Sequence, residues 1–114
     1  MWVFTQTGFV SAVRHRDEPD TLVVRARDRE SIEALADFCK TEVVMHAGSD
    51  YPYRTFVKEE AYKNWLMRSV EDLDYANYKN RMHDLRDDTF CTALSKVWSV
   101  MLSVEDYEAI HSYR

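Results

Sequence analysis

Arginine side chains supply the densest candidate chemistry in this chain. Arg14 and Arg16 stand two positions apart, as do Arg25 and Arg27, so each pair lies on one side of an extended strand. If the two strands pair, the four guanidinium groups could converge into a basic patch that Arg54 could join. The alternative is a solvated sheet face on which the arginines pair with carboxylates.

Aromatic residues near these arginines suggest one use of such a patch. Trp2, Phe4, Phe9 and Tyr53 lie on neighbouring predicted strands. Exposed rings beside guanidinium groups form a stacking platform for single-stranded RNA. The chain lacks the Gly-rich aromatic signature of common RNA-binding modules, so nucleic acid is the less favoured partner.

The segment Tyr51-Pro52-Tyr53-Arg54 is a second candidate for binding. Tyr and Arg often dominate interface energetics, because each offers a large contact area and a polar tip. The alternative is an edge strand whose tyrosines cover the core. The candidate binding residues are Arg14, Arg25, Arg27, Tyr51, Tyr53 and Arg54.

Catalytic and metal-binding motifs are missing from the sequence. The four histidines show no HExxH or HxH spacing, and two glycines cannot build a Gly-rich phosphate loop. His46 with Asp50 is a third, enzymatic alternative through acid–base chemistry. We expect no catalytic residue, no metal site and no cofactor.

Bulk properties narrow the class of protein. The 114 residues predict one domain over 1–114, and the net charge of −5 argues against indiscriminate nucleic-acid binding. Cys39 and Cys91 fall at apolar helical positions, which predicts buried free thiols and a reducing compartment. A signal peptide pattern is absent at 1–16, and the apolar run 97–102 is too short to span a bilayer. We expect a cytoplasmic protein without membrane contact.

Alternating and aromatic patterns predict strands in the first half of the chain. We place them at 2–5, 9–16, 21–27, 42–46 and 53–57, with a loop at 47–50. Gly8 can take the positive φ that a tight hairpin between the first two strands needs. A helix over 29–40 follows the predicted N-cap Asp28.

In the second half of the chain, apolar residues recur at helical spacing. It predicts a helix over 59–72, a short helix capped by Asp74, and another capped by Asp87 or Asp88. Ser103 opens a variant capping box for a last short helix with Tyr107 and Ile110. Trp65 and Trp98 are predicted to be buried on facing helices.

The order of elements predicts an α+β fold. We expect an antiparallel sheet with helices on one face, a helical C-terminal part, and the other sheet face exposed to solvent. A ferredoxin-like arrangement is an option, with residues 23–57 and the helix after them supplying strand, helix, strand, strand and helix.

Several blocks of the chain resemble a known group of proteins. The blocks are Met1-Trp2-Val3-Phe4-Thr5, Gly8 to Val13, Leu22 to Arg27, Asp50 to Arg54, Asp74 to Asn80, and Val97 to Val100. They resemble a family of small uncharacterised proteins from actinobacteria and their phages, over most of the chain but less well at 81–96. The resemblance implies a bacterial or phage-encoded cytosolic protein, in the host cytoplasm if phage-encoded, and transfers no activity.

These observations predict a non-catalytic accessory protein that binds a host or cellular protein. A homodimer through the sheet edge or the late helices is a further expectation. The alternative function is binding of nucleic acid or a nucleotide by an Arg-rich sheet face.

Overall fold

The computed structural model describes residues 1–46 and 48–111, without the side chains of residues 106 and 109–111. Ala47, assigned above to a loop, and the side chain of Ile110, assigned to the last helix, lie outside the described part. The chain divides into two compact units, Met1–Asp74 and Tyr75–Arg114. One domain over residues 1–114 stays a prediction.

The first unit contains five strands and two helices, close to the predicted bounds. The strands are β1 (Trp2–Thr5), β2 (Gly8–Arg14), β3 (Thr21–Ala26), β4 (Val44–Met45) and β5 (Tyr53–Lys58). The helices are α1 (Glu30–Cys39) and α2 (Glu59–Glu71). The N-cap residue of α1 is Arg29 rather than the predicted Asp28.

The sheet has the order β1-β2-β3-β5-β4, and every neighbouring pair is antiparallel. The α+β prediction is confirmed. Strand β5 lies between β3 and β4, which are joined through α1, as in the split β-α-β unit of ferredoxin-like folds. In such folds a strand after the second helix would flank β3, whereas here β2 holds that position and precedes β3 in the chain.

The face of the sheet that carries α1 and α2 holds the core of the first unit, and we call it the helix face. It presents small and β-branched side chains, which let helices approach a sheet closely. Ile32 and Leu35 of α1 and Tyr62 and Trp65 of α2 complete this core. The buried residues of the strands are Val10, Ala12, Val24, Ala26 and Val57.

Local geometry explains how the strands enter this sheet. Gly8 has a φ of 138°, as the β1–β2 turn requires and as predicted from its type. The backbone N–H of Phe9 donates to the Oγ atom of Ser31 in α1 at 3.1 Å. This bond ties the start of β2 to the first helix and satisfies a hydroxyl that is buried.

The second unit contains α3 (Tyr78–Leu85) and α4 (Asp88–His111). Asn77, not the predicted Asp74, caps α3 by accepting a hydrogen bond from the backbone N–H of Asn80 at 3.0 Å. Asp87 caps α4 as predicted, because its Oδ1 atom accepts from the backbone N–H of Phe90 at 2.8 Å. Met82, Cys91 and Leu94 form a small buried core between the two helices.

Two predictions about this region are wrong. Ser103 does not open a new helix, because α4 continues without a break to His111. Trp98 is not buried: 54% of it is exposed, and its ring contacts Lys79, whose Nζ atom lies 4.5 Å from the ring centroid. The described part of the chain contains no helix that is long and apolar enough to cross a membrane.

Truncation of the two tryptophans should separate their roles. Trp65 is 5% exposed, so Trp65→Ala should lower the free energy of unfolding by about 3–5 kcal/mol. Trp98→Ala removes an exposed ring and should cost less than about 0.5 kcal/mol. Urea unfolding followed by circular dichroism measures both, and a larger loss for Trp98→Ala would contradict the structure.

Tyr62 should make the stability fall at alkaline pH. Burial raises the pKa of Tyr62 to about 12, with a smaller contribution from Cys39, whereas an unfolded tyrosine titrates near pH 10. The stabilisation is therefore complete below about pH 10 and lost as the pH rises towards 12. The unfolding free energy of the natural protein should fall more steeply than that of Tyr62→Phe between about pH 9 and 11.5. Parallel curves would refute this role for the buried phenol.

Candidate functional site

The sheet face opposite the helices carries most of the candidate residues, and we call it the open face. The strand register fixes its membership, since successive side chains of a strand alternate between faces. Ser11 pairs with Arg25, and Arg25 pairs with Arg54. One row across the five strands therefore reads Trp2, Ser11, Arg25, Arg54, Val44.

Arg25 lies at the centre of the open face and is held there by two contacts. Its Nη2 atom donates to the Oγ atom of Ser11 at 2.9 Å. Its guanidinium carbon lies 4.5 Å from the centroid of the Tyr51 ring. The Nε atom is buried without a hydrogen-bond partner among the described residues. The attraction between the cation and the ring offsets part of that cost.

Tyr51 fixes the segment before β5 onto this face. Its ring is buried although it comes from a loop, because Arg25 and Arg27 both contact it, each with the guanidinium carbon 4.5 Å from the ring centroid. Arg27 also donates to the carbonyl oxygen of Asp50 at 2.6 Å and lies 3.3 Å from its carboxylate. The Nε atom of Arg54 donates to the carbonyl oxygen of Tyr51 at 3.4 Å.

An aromatic cluster flanks the central arginine on the β1 side. The rings of Trp2 and Phe9 meet edge to face with centroids 5.7 Å apart, and Phe4 stacks on Phe9 at 4.7 Å. Trp2 is 72% exposed. A large aromatic surface therefore borders the Arg25 site.

A second apolar patch flanks the arginines at the other end of the strands. Val13 pairs with Val23, and Val23 pairs with Phe56. The ring of His15 lies 5.7 Å from that of Phe56. Val13 and Phe56 are 40% and 42% exposed. The open face thus has a cationic centre between two apolar patches.

Two predicted site residues, Arg14 and Tyr53, lie on the helix face. The prediction that Arg14 converges with Arg25 in one patch is therefore wrong, and Tyr53 does not border that patch. Arg14 pairs with Leu22 in the sheet and forms an ion pair with Glu59 at the start of α2. The Arg14 guanidinium, and then Lys63, hold the pKa of the Glu59 carboxyl below its usual range. Tyr53 pairs with Ala26 and Met45, and the guanidinium carbon of Arg29 lies 5.4 Å from its ring centroid.

The strand patterns missed part of this site. The alternation of Leu22, Val23 and Val24 and the antiparallel pairing of β2 with β3 follow from the sequence, but the register of that pairing does not. Because Ser11 pairs with Arg25, Arg14, three residues after Ser11, lies on the face opposite Arg25. The sequence shows that Val13 and Phe56 are apolar strand residues. It does not show that they lie close together, which follows because both pair with Val23.

Two further places in this unit with polar side chains were considered for chemistry, and in each a charged group has an internal partner. Asp50, proposed above as a partner of His46 in acid–base chemistry, accepts from Arg27. A surface pocket lined by Thr5, Phe38 and Trp65, among others, contains Arg68, whose Nε atom donates to Asp72 at 3.1 Å. Among the described residues no group of three His, Cys, Asp or Glu side chains could hold a metal ion.

Three comparisons with known proteins gave no match. No protein-family model, curated protein or solved structure matches this chain. The resemblance to the actinobacterial and phage family stays a prediction.

Tyr51 should stabilise the first unit through its ring. Tyr51→Ala removes a buried ring and two cation contacts, so the unfolding free energy should fall by about 2–4 kcal/mol. Tyr51→Phe keeps the ring and should change stability by less than about 1 kcal/mol. Urea unfolding measures both variants. Equal stability of Tyr51→Ala and the natural protein would show that the segment before β5 is not anchored by this ring.

Proposed function

We propose that the protein is a non-catalytic accessory module that binds another protein through its open face. The observation that carries the proposal is the exposure of apolar side chains on both sides of Arg25, on a face to which neither α1 nor α2 packs. Apolar side chains exposed side by side commonly mark an interaction site.

The state of the arginines favours a protein over a nucleic acid. Binding along a nucleic-acid backbone draws on several Lys and Arg side chains that neutralise successive phosphates. Here Arg25 is engaged by Ser11 and Tyr51, Arg27 by Asp50, and Arg54 by the Tyr51 carbonyl. The exposed remainder includes the aliphatic side chains of Val13 and Val44, which cannot stack on bases.

The layout of the open face defines the chemistry of the partner. Apolar patches call for an apolar segment, whose burial supplies most of the free energy. The cationic centre favours an acidic side chain on that segment, because complementary charge sets register and suppresses wrong partners. We therefore propose a partner that presents an apolar segment carrying a carboxylate near its middle.

Binding of nucleic acid remains the alternative function, and one specific observation supports it. The exposed ring of Trp2 and the guanidinium group of Arg25 lie in the same row of the sheet. That neighbourhood permits base stacking next to a phosphate contact.

We place the protein in the cytoplasm, the host cytoplasm if it is phage-encoded. Both cysteines are free thiols, Cys91 buried and Cys39 half-buried, and burial raises the pKa of Cys39. Thiols in this state persist in reducing compartments.

The test compares two double variants that add the same charge at different places. Val13→Glu with Phe56→Glu alters the open face, and Met67→Glu with Val70→Glu alters exposed apolar positions of α2 in the same unit. Both should fold, as circular dichroism can verify. Quantitative mass spectrometry of affinity captures from cell lysate should show a protein retained by the natural protein and the α2 variant, and lost with the open-face variant.

High salt and nuclease treatment distinguish capture of a protein from capture of a nucleic acid. Capture through phosphate contacts weakens steeply with salt, so it should vanish at high salt or after nuclease treatment. Capture of a protein through apolar contacts should survive both. The proposal fails if no captured protein distinguishes the two double variants.

A further inference from the structure

The turn between β2 and β3 is held by a histidine side chain. His15 follows β2 directly, and the loop over residues 16–20 leads from it to β3. The Nδ1 atom of His15 accepts two hydrogen bonds, from the backbone N–H of Asp17 at 3.1 Å and from that of Glu18 at 3.0 Å. An Asx turn has the same arrangement, with the side-chain oxygen of Asn or Asp as the acceptor. In both cases the accepting atom is bonded to Cγ, so His15 closes the turn as an asparagine would.

These two bonds require the neutral form of the His15 ring. An Nδ1 atom that accepts carries no proton, so the proton of the neutral ring lies on Nε2. In an imidazolium both ring nitrogens are donors, and Nδ1–H would then face two backbone N–H groups that also donate. The loop can keep neither bond in that state. Histidine is the side chain that ordinarily changes its charge between about pH 5 and 8.

Other contacts hold the two ends of the loop without the imidazole. The backbone N–H of His15 donates to the carbonyl oxygen of Thr21 at 2.9 Å. The hydroxyl group of Thr21 donates to the carbonyl oxygen of Pro19 at 3.2 Å. The backbone N–H of Glu59 donates to the carbonyl oxygen of Asp20 at 2.8 Å. Loss of the two Nδ1 bonds should therefore free the first half of the loop and leave β2 and β3 in place.

The His15 ring also belongs to the second apolar patch of the open face. Its centroid lies 5.7 Å from that of the Phe56 ring, and Val13 precedes it by two positions on the same side of the strand. Protonation changes this patch in two ways, because it places a positive charge beside apolar side chains and removes the bonds that tie the ring to the loop. Covering an unpaired charge with an apolar segment costs free energy.

Charged side chains of both signs lie on the elements next to His15. Arg14 and Glu59 pair with each other, and the Nζ atom of Lys58 donates to the hydroxyl group of Thr21 at 3.3 Å. Carboxylates ordinarily titrate near about pH 4, and Lys and Arg above about pH 10. A change between about pH 5 and 8 that depends on residue 15 therefore reports the imidazole. The charged residues of the loop itself are Arg16, Asp17, Glu18 and Asp20.

We propose that His15 is a pH-sensitive switch in the β2–β3 turn. In its neutral form it holds the loop through Nδ1, and on protonation it releases residues 16–18 and places a charge in the second apolar patch. The open face then binds its partner more weakly at low pH. This last consequence rests on the proposed function, whereas the release of the loop does not.

NMR spectroscopy of the isotope-labelled protein tests the release of the loop. At about pH 8 the ring should show the Nε2–H tautomer, and the heteronuclear NOE of residues 16–18 should match that of β2 and β3. At about pH 5 the NOE of residues 16–18 should fall while that of the strands stays high. The matched control is His15→Asn, whose Oδ1 atom can accept the same two bonds and does not titrate, so its loop should stay ordered at both pH values. Equal order at both pH values in the natural protein, or the same fall in His15→Asn, overturns the proposal.

Affinity capture at the same two pH values tests the effect on the open face. The natural protein should recover its partner about tenfold less at the lower pH, whereas His15→Asn should recover it equally at both. Equal recovery by the natural protein overturns the control of the open face by His15, even where the loop is released. Absence of a captured protein at the higher pH contradicts the proposed function instead, and the NMR result then decides the switch by itself.

Discussion

The pairing of β2 with β3 determines what each face of the sheet can do. Because side chains alternate along a strand, the Ser11–Arg25 pair places Arg25 on the open face, and the Ala12–Val24 pair lies on the helix face. A shift of one residue would bring the charged Arg25 beneath the helices and the core side chains into solvent. The desolvation cost of a buried guanidinium makes that alternative register prohibitive.

The distribution of side-chain size follows from the same constraint. Ala12 and Ala26 lie beneath the helices, where small side chains let α1 and α2 approach, while Trp2, Phe4 and Phe56 lie on the open face. Exposure of rings costs hydrophobic stabilisation that a core position would have supplied. Tyr51 recovers part of it, since its ring is buried against two arginines instead of in the core.

The sequence allowed the fold class and most strand positions to be predicted, because these depend on local period and turn chemistry. The composition of the site was harder to predict, because the alternation in β2 is too imperfect to show which of its faces is buried. The pairing register settles this by placing Arg14 opposite Leu22 on the helix face and Arg25 opposite Ser11 on the open face. The prediction that Trp98 is buried was wrong for a different reason. Helical spacing shows which side of α4 is apolar, but it does not show that α3 is too short to cover that side. Ser103 matched a capping motif, yet its Oγ atom donates to the carbonyl oxygen of Val100 at 2.6 Å within a continuous helix.

The arginines of the open face are ordered by contacts within the protein itself. Long arginine side chains normally lose rotamer freedom when they bind, which lowers affinity. On this face Arg25 is already held by Ser11 and Tyr51, and Arg54 by the Tyr51 carbonyl. Under the proposed function, a carboxylate on an apolar segment would therefore meet guanidinium groups whose ordering is complete before binding.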